Sequence, residues 1–535
     1  MKPHTLLILT ALLITSCGHH RHGDKMIFRY NESAGIATLD PAFAKDQSII
    51  WSCRQLYNGL IELDTALQVQ PAIAKRWEVS GDGLRYTFSL RDDVRFHNGR
   101  RVVAEDFSYS FGRIIDPDVM SPGAWIFHDV EGFTALDDTT FEICLKHPFA
   151  PFLAQLGMVY CSVVPKEEVE RHGKDFRRNP CGTGPFKFQY WKEGVKLVLR
   201  RNDDYFEQGL PYLDAVAITF IVDRHTAFLE FIKGNLDFMN SLDASYKDEL
   251  LTLDGQLKEK YADRIHMHST PYLNTEYLGF NMSSEGGERK SEVADASFNS
   301  ALHSPVAALK VRQAISCGFD RRKMMKYLRN NVGHPGVGGF VPLGLPGFDT
   351  TAAYGYEYNP TRAAELLAEA GYPHGQGLPR LKLSTTANYL DLCKYLQQQL
   401  GLLGIDIQVD VNPPAALRSQ IGEGKSAWFR GSWVADYPDA ENYLSLFYSG
   451  NKAPAGPNYT RFFSPEFDRL YLRARSCTDP QERLALYRTM DSLVMAEAPV
   501  MVLYYDQILH FTHKNVSGLR SNAMNCPDLR HVRID

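Results

Sequence analysis

At 535 residues, with 44% hydrophobic and 12% aromatic side chains, the chain is long enough for roughly three domains or lobes with ample core. A formal net charge of −5 gives no general reason to expect nucleic-acid binding or a polybasic membrane surface.

Lys2 gives the N-terminus a positive start, and Leu6 to Ile14 is an apolar run suited to a signal-peptide core and far too short to span a bilayer. The run ends in Leu13-Ile-Thr-Ser-Cys17, which resembles a bacterial lipoprotein signal. That resemblance implies a signal peptide over 1–17 with Cys17 lipidated, then a polar tether over 18–25; ordinary secretory cleavage is the alternative. His19, His20 and His22 lie in the tether, where no fold fixes a ligand geometry, so no metal is expected. No later stretch is long and apolar enough to be a transmembrane helix. Eight further cysteines form no CxxC pair, which argues against a zinc or redox motif. An exported location permits disulfides, but their pairing is not readable. Cys317 and Cys393 fall in apolar helical patterns and read as buried thiols.

Along the chain, 26–30 reads as a strand and 48–60 as a helix carrying Ile49, Trp51, Leu56 and Leu60. Alternation at Tyr86, Phe88 and Leu90 and again over 139–145 predicts strands, with a helix over 103–115 between them. The turn cluster Asn179-Pro-Cys-Gly-Thr-Gly-Pro185 introduces strands over 186–190 and 195–200, a further strand over 215–222 and a helix over 226–233. The charged stretch 289–300 reads as an exposed loop, and 310–328 as one long helix. Gly333 to Gly347 is too rich in Gly and Pro to be regular. Asn359-Pro360 opens the next helix, whose stripe is Ala363, Leu366, Leu367 and Ala370. A strand over 381–385, a helix marked by Leu392, Leu396 and Leu400, and an alternating strand over 405–411 predict a parallel β-α-β unit. Ser464 caps a helix, Pro499 to Tyr505 is a buried strand, and the tail is expected to rejoin an earlier sheet.

The motifs of chemistry fail. Gly422-Glu-Gly-Lys425-Ser426 lacks the first glycine of a phosphate loop, and Gly336-Val-Gly338 breaks the dinucleotide fingerprint. No G-x-S-x-G elbow or H-E-x-x-H pair is present. The richest stretch is Arg430-Gly-Ser-Trp433-Val-Ala-Asp436-Tyr-Pro-Asp439, with a short strand over 429–433 and a turn at Tyr437-Pro438-Asp439. Asp436 at the strand end either faces a cleft, where low dielectric favours a cationic partner, or caps the turn or the helix starting near Ala440.

Leu39-Asp-Pro41, Leu56-Tyr-Asn-Gly-Leu60, Pro71-Ala-Ile-Ala-Lys-Arg-Trp-Glu78, Tyr86-Thr-Phe-Ser-Leu-Arg91, Phe96-His-Asn-Gly99, Gly182-Thr-Gly-Pro-Phe186, Val311-Arg-Gln-Ala-Ile315 and Trp433-Val-Ala-Asp-Tyr-Pro-Asp439 follow one another in order. This ordered set resembles the family 5 extracellular solute-binding proteins, the oligopeptide and dipeptide receptors of ABC importers. The resemblance implies an α/β fold, a two-lobed periplasmic-binding-protein clamp (type II, cluster C) with an additional mixed α/β domain. Lobe I would comprise 26–56, 179–270 and 506–535, domain II 57–178, and lobe III 271–505. Ligand would lie between lobes I and III and be enclosed when the hinge shuts.

In peptide-binding members an Asp at the position of Asp436 holds the ligand's free α-amino group, and Arg430 falls where an arginine meets the ligand carboxylate. By the same resemblance Trp433 would wall the site, and Ser432 and Val434 flank it on the same strand. Tyr504 or Tyr505 would line the hinge side, and the loop Ala44 to Gln47 would offer groups from lobe I. Dipeptide binders place a second arginine after the strand that here ends Thr385-Thr386-Ala387-Asn388; none stands there, so longer peptides or differently anchored ligands fit better. The implied protein is a monomer held to a bacterial membrane through Cys17, periplasmic or on the cell surface. It would take short peptides to an ABC permease, with no cofactor, metal, nucleic acid or catalytic residue. Glutathione, a nickel chelate, an oligosaccharide or another small solute remain open as ligands. From other classes, a secreted hydrolase is disfavoured by the missing motifs, and a surface adhesin or signalling receptor on the same clamp stands as a third reading.

Overall fold

The computed structural model describes residues 25–240, 242–243, 245–283, 304–345 and 354–535. The leader with Cys17 and the 289–300 stretch lie outside these residues. An eleven-stranded mixed sheet runs through the molecule. Its strands in chain order are β1 (Ile27–Asn31), β2 (Phe186–Lys192), β3 (Lys196–Arg201), β4 (Ala215–Thr219), β5 (Phe238–Asn240), β6 (Ile265–Phe280), β7 (Leu381–Thr385), β8 (Ile407–Val411), β9 (Trp428–Val434) and β10 (Val500–His513), with a short His334–Pro335 strand on β10. In space they run β8-β7-β9-β6-β10-β5-β1-β4-β3-β2.

The middle of that order gives the fold its shape, a two-lobed type II clamp. β6 and β10 are long antiparallel neighbours that belong to both lobes. Ile265–Pro271 pairs with Gln507–His513, Thr275–Gly279 pairs with Val500–Tyr505, and the register shifts between Pro271 and Thr275. Pro271 has no N–H to give the ladder, so regular pairing lapses where the chain crosses from one lobe to the other.

In the first lobe β1 lies parallel to β4 and β5. Helix α1 (Gln47–Leu56) packs Ile49, Trp51, Cys53 and Leu56 inward. The sequence pattern carries this helix to Leu60, but it stops at Leu56. There the turn cluster docks: Gly184 N–H donates to the Leu56 carbonyl (2.9 Å). A Cβ on Gly182 would stand 2.0 Å from that carbonyl oxygen, which is why glycine is needed in the cluster. A separate antiparallel sheet, in the order Ala74–Val79, Arg85–Leu90, Thr140–Leu145, Val130–Asp137, is covered by the helix Ala104–Ile115. Phe107 and Phe111 of that helix each stand 5.7 Å from the Phe141 ring. One continuous buried cluster joins this sheet to the first lobe, running from Phe28 and Trp51 through Phe88 and Phe141 to Ile218.

The second lobe buries both faces of its sheet. Leu278, Trp428 and Met501 enter one core. Tyr277, Phe429 and Val502 enter the other, as the two-residue period of strands requires. The helix expected over 310–328 is two: α2 (Leu309–Cys317) and α3 (Arg321–Arg329). Asp320 caps α3 by accepting from Lys323 N–H (3.0 Å), and buried Arg321 holds the break by donating to the carbonyls of Val502 (2.6 Å) and Ser316 (2.9 Å). Helix α4 (Pro360–Glu369) starts at the Asn359 cap with Ala363, Leu366 and Leu367 buried. Strands β7 and β8 pair in parallel across helix α5 (Leu390–Gly401), as the spacing predicts.

As expected, the tail past Tyr505 rejoins the large sheet, pairing His510–Thr512 with β5, but only as far as His513. Val516–Ser517 pairs with Arg533–Ile534 in a ribbon of its own. Between them Ala523 carbonyl accepts from Leu273 N–H (2.8 Å) and Asn525 carbonyl from Trp51 Nε1 (2.6 Å), which lays the tail along the seam between the lobes. All eight described cysteines are free thiols, Cys317 and Cys393 among the buried ones.

Candidate functional site

Strand β9 turns alternate side chains to opposite faces. Phe429 and Ala435 go into the second lobe's core, while Arg430, Ser432, Val434 and, past the strand end, Asp436 follow one another on the other face. Gly431 is needed because its neighbour on β6, Tyr277, lays its ring over it; a Cβ there would sit 2.6 Å from the ring carbon Cζ.

Val434 and Asp436 line a cavity of about 360 Å³ where both lobes meet. The first lobe contributes the loop Ala44–Gln47 and α1, residues near Tyr160 close one side, and Tyr272 lies at the crossing strands. Asp436 is held by α6 (Ala440–Leu444). Buried Asn442 accepts from Trp433 Nε1 (2.9 Å) and from Asp436 N–H (3.2 Å), and its amide donates to Asp436 Oδ2 (3.4 Å). The helix cap is Asp439, which accepts from Glu441 N–H (2.9 Å), so Asp436 is not the cap. Water reaches Asp436 through the cavity, and its side chain is exposed in that sense, yet protein walls surround it. Burial therefore pushes its carboxyl up, opposed by the Asn442 hydrogen bond. The neighbouring Tyr160 hydroxyl is raised to about 12, by burial first and then by Asp436 and Asp46. Among the described residues, no cation lies within ion-pair distance of Asp436.

Arg430 sits differently. Its guanidinium pairs with Glu276 on β6, the two side chains being 11% and 3% exposed, and it stacks 3.2 Å above the Tyr389 ring. Tyr389 stands just past the strand end that lacks the dipeptide-type arginine. Glu276 also accepts from Asn274 (3.1 Å), which donates on to Asp506 (3.4 Å). Asp506 pairs with Arg329 at 2.6 Å. Arg329 donates to the Tyr504 hydroxyl (3.0 Å) and lies 4.1 Å over its ring. Two arginines and two acids thus balance at the base of the lobe junction. Burial weakens the charged form of Arg430, but Glu276 outweighs this and the net effect is a raised pKa.

The structure brings Asp436, Val434 and Gln47 to one cavity and keeps Ser432 exposed on the same strand face. It turns Trp433 to the opposite face, half-buried against Asn442. Tyr504 and Tyr505 do not line the cavity. Tyr504 is buried under Arg329, and Tyr505 is buried in the core with its hydroxyl donating to the Gly339 carbonyl (2.6 Å). Sequence reasoning missed Asn442 and Glu276; the first sits on the helix that follows the key stretch, and the second lies 154 residues from Arg430 and carries no local signal.

Residues 68–455 match the model for bacterial extracellular solute-binding proteins, family 5, middle region. The chain belongs to family 5 of the bacterial extracellular solute-binding proteins. This solute-binding protein is 26% identical over 525 residues to Di/tripeptide-binding protein 2 of Pseudomonas aeruginosa (strain UCBPP-PA14), covering 93% of each chain. It is 26% identical over 492 residues to the glutathione-binding protein GsiB of Salmonella paratyphi A (strain ATCC 9150 / SARB42), covering 91% of this chain and 90% of the other. Among solved structures it superposes with a TM-score of 0.75 and 26% identity on the ABC transporter-associated periplasmic binding protein DppA of Helicobacter pylori in complex with peptide STSA, covering 95% of this chain and 98% of that one.

Proposed function

We propose that the chain is the substrate-binding component of an ABC importer, capturing short peptides between its two lobes and handing them to a membrane permease. The observation that carries this is Asp436, a carboxylate without a cationic partner among the described residues, facing a cavity at the lobe junction. A peptide's protonated α-amine supplies the missing charge. The similarity to di/tripeptide-binding protein 2 and to the peptide-bound DppA supports the ligand class. The similarity to GsiB favours glutathione as a second reading, since that molecule also offers a free α-amine. The strand order supports a division into lobe I (26–56, 179–270, 506–535), domain II (57–178) and lobe III (271–505), with lobe I and domain II moving as one body on their shared core. The leader supports export and anchoring through a lipid on Cys17.

Mass spectrometry of small molecules released from the denatured, purified protein tests the reading. Short peptides of mixed sequence are the expected cargo. Glutathione alone would select the second reading, and a ligand without an amine would refute the role given to Asp436.

A further inference from the structure

The cavity that holds Asp436 has a second charged wall. Gln47, Ile50, Trp51 and Arg54 of α1 all line it, at the i, i+3, i+4, i+7 spacing that puts them on one helix face. Arg54 is half-buried, and among the described residues no carboxylate lies within ion-pair distance of it. Resting on the peptide-receptor reading, we propose that Arg54 receives the C-terminal carboxylate of the bound peptide. Asp436 and Arg54 would then grip the two ends of one short zwitterion from opposite lobes.

Three observations favour Arg54 over the other cations. Arg430 is committed to Glu276. It also lies six residues back along the chain from Asp436 and does not line that cavity, whereas Arg54 does. Lys45 lines the same cavity but is exposed, beside the exposed acid Asp46, where water screens it. The planar fork of Arg54 suits a carboxylate, and partial burial strengthens that bond.

The geometry also sets a length. At about 360 Å³ the cavity lies near the lower end of ligand pockets, which run to roughly 1,000 Å³. Beyond Arg54 it adjoins a second cavity of about 270 Å³. There Arg530 pairs with Glu62 (3.2 Å), Glu207 (2.7 Å) and Asp528 (3.0 Å), and Arg520 and Asp64 line the same cavity. Apart from Arg54, two arginines stand there against four acids, Glu62, Asp64, Glu207 and Asp528, which leaves that side negative, so a carboxylate is stopped at Arg54. With Arg54 in place of the arginine missing after Thr385, and against the expectation of longer peptides, peptides of two or three residues are the class this arrangement selects.

The test is calorimetric titration of the full chain with Ala-Leu-Ala and with its C-terminal amide, on the parent protein and on Arg54→Gln, Arg54→Lys and Lys45→Gln. The parent should prefer the free acid by roughly 10- to 100-fold, the scale of one charge-assisted hydrogen bond. Arg54→Gln should bind acid and amide within about twofold of each other. Arg54→Lys keeps the cation, guards against a folding defect in the Gln variant, and should retain part of the preference. Lys45→Gln should keep all of it. Parent protein that binds both forms equally, or Arg54→Gln that keeps the parent preference, overturns the proposal and leaves the receptor reading standing. Parent protein that binds neither form overturns both. Arg54 also lies in the last turn of α1, where a cation favours the helix dipole. That role alone would change thermal stability and leave the acid-to-amide ratio untouched.

Discussion

Asp436→Asn keeps the side chain's shape and its hydrogen bond with Asn442 while removing the charge that the cavity presents. The magnitude follows from the surroundings. Protein walls the carboxylate but water reaches it, so an effective dielectric near 20 is appropriate, and an amine at 4 Å gains about 4 kcal/mol there. Counted as a hydrogen bond to a charged group, the contact is worth about 1.5–3 kcal/mol. The expected loss is therefore about 2–4 kcal/mol, or roughly 30- to 700-fold in affinity. Calorimetry with Ala-Leu-Ala and its N-acetylated form on parent and variant measures it as a cycle. Acetylation should abolish tight binding to the parent and change little in Asp436→Asn, because the charge it would unpair is gone. Equal affinity of parent and variant for the free peptide, or an equal acetylation penalty in both, refutes the reasoning.

Two further outcomes concern stability. Glu276→Gln leaves the Arg430 guanidinium buried without its carboxylate, so urea denaturation should show a loss of about 3 kcal/mol or more; an unchanged midpoint would mean that the pair is not buried in solution. Asp491 is a buried carboxyl that accepts from Phe340 N–H (2.7 Å), and burial raises it from 3.8 to about 7. The unfolded chain ionises first as pH rises through this window, so the contribution of this group to stability is fully present below pH 4 and is lost up to pH 7, a cost of up to about 4 kcal/mol. Asp491→Asn should flatten that slope, gaining on the parent in urea midpoint at pH 8 more than at pH 4.5. Parallel pH profiles for the two proteins would refute this.

Local chemistry made parts of the fold readable. The Asn359-Pro360 start, the Ser464 cap and the β7-α5-β8 unit are each set by residues within a few positions of one another. The β9 strand and its terminal acid were likewise legible, because alternation and a proline turn mark them. What escaped depends on distant partners. Gly318 and Asp320 hint at the break between α2 and α3, but Arg321 fixes it by reaching carbonyls on β10. The full lengths of β6 and β10 were hidden because each crosses from one lobe to the other and changes neighbours on the way. Arg430 read as a free cation because nothing near it in sequence reveals Glu276 across the ladder. The cavity face of α1 was masked for a similar reason: Arg54 at a helix end looks like ordinary surface until the other lobe is laid against it.

The paired strands that pass between the lobes restrict how the clamp can work. A body joined by two adjacent, hydrogen-bonded ribbons cannot slide sideways without tearing the ladder, and a slip of one residue would turn every core side chain outward. What remains open to it is bending and twisting about the short lapse after Pro271. The mouth can therefore widen while its far corner stays fixed, much as a book opens without its pages shifting along the spine.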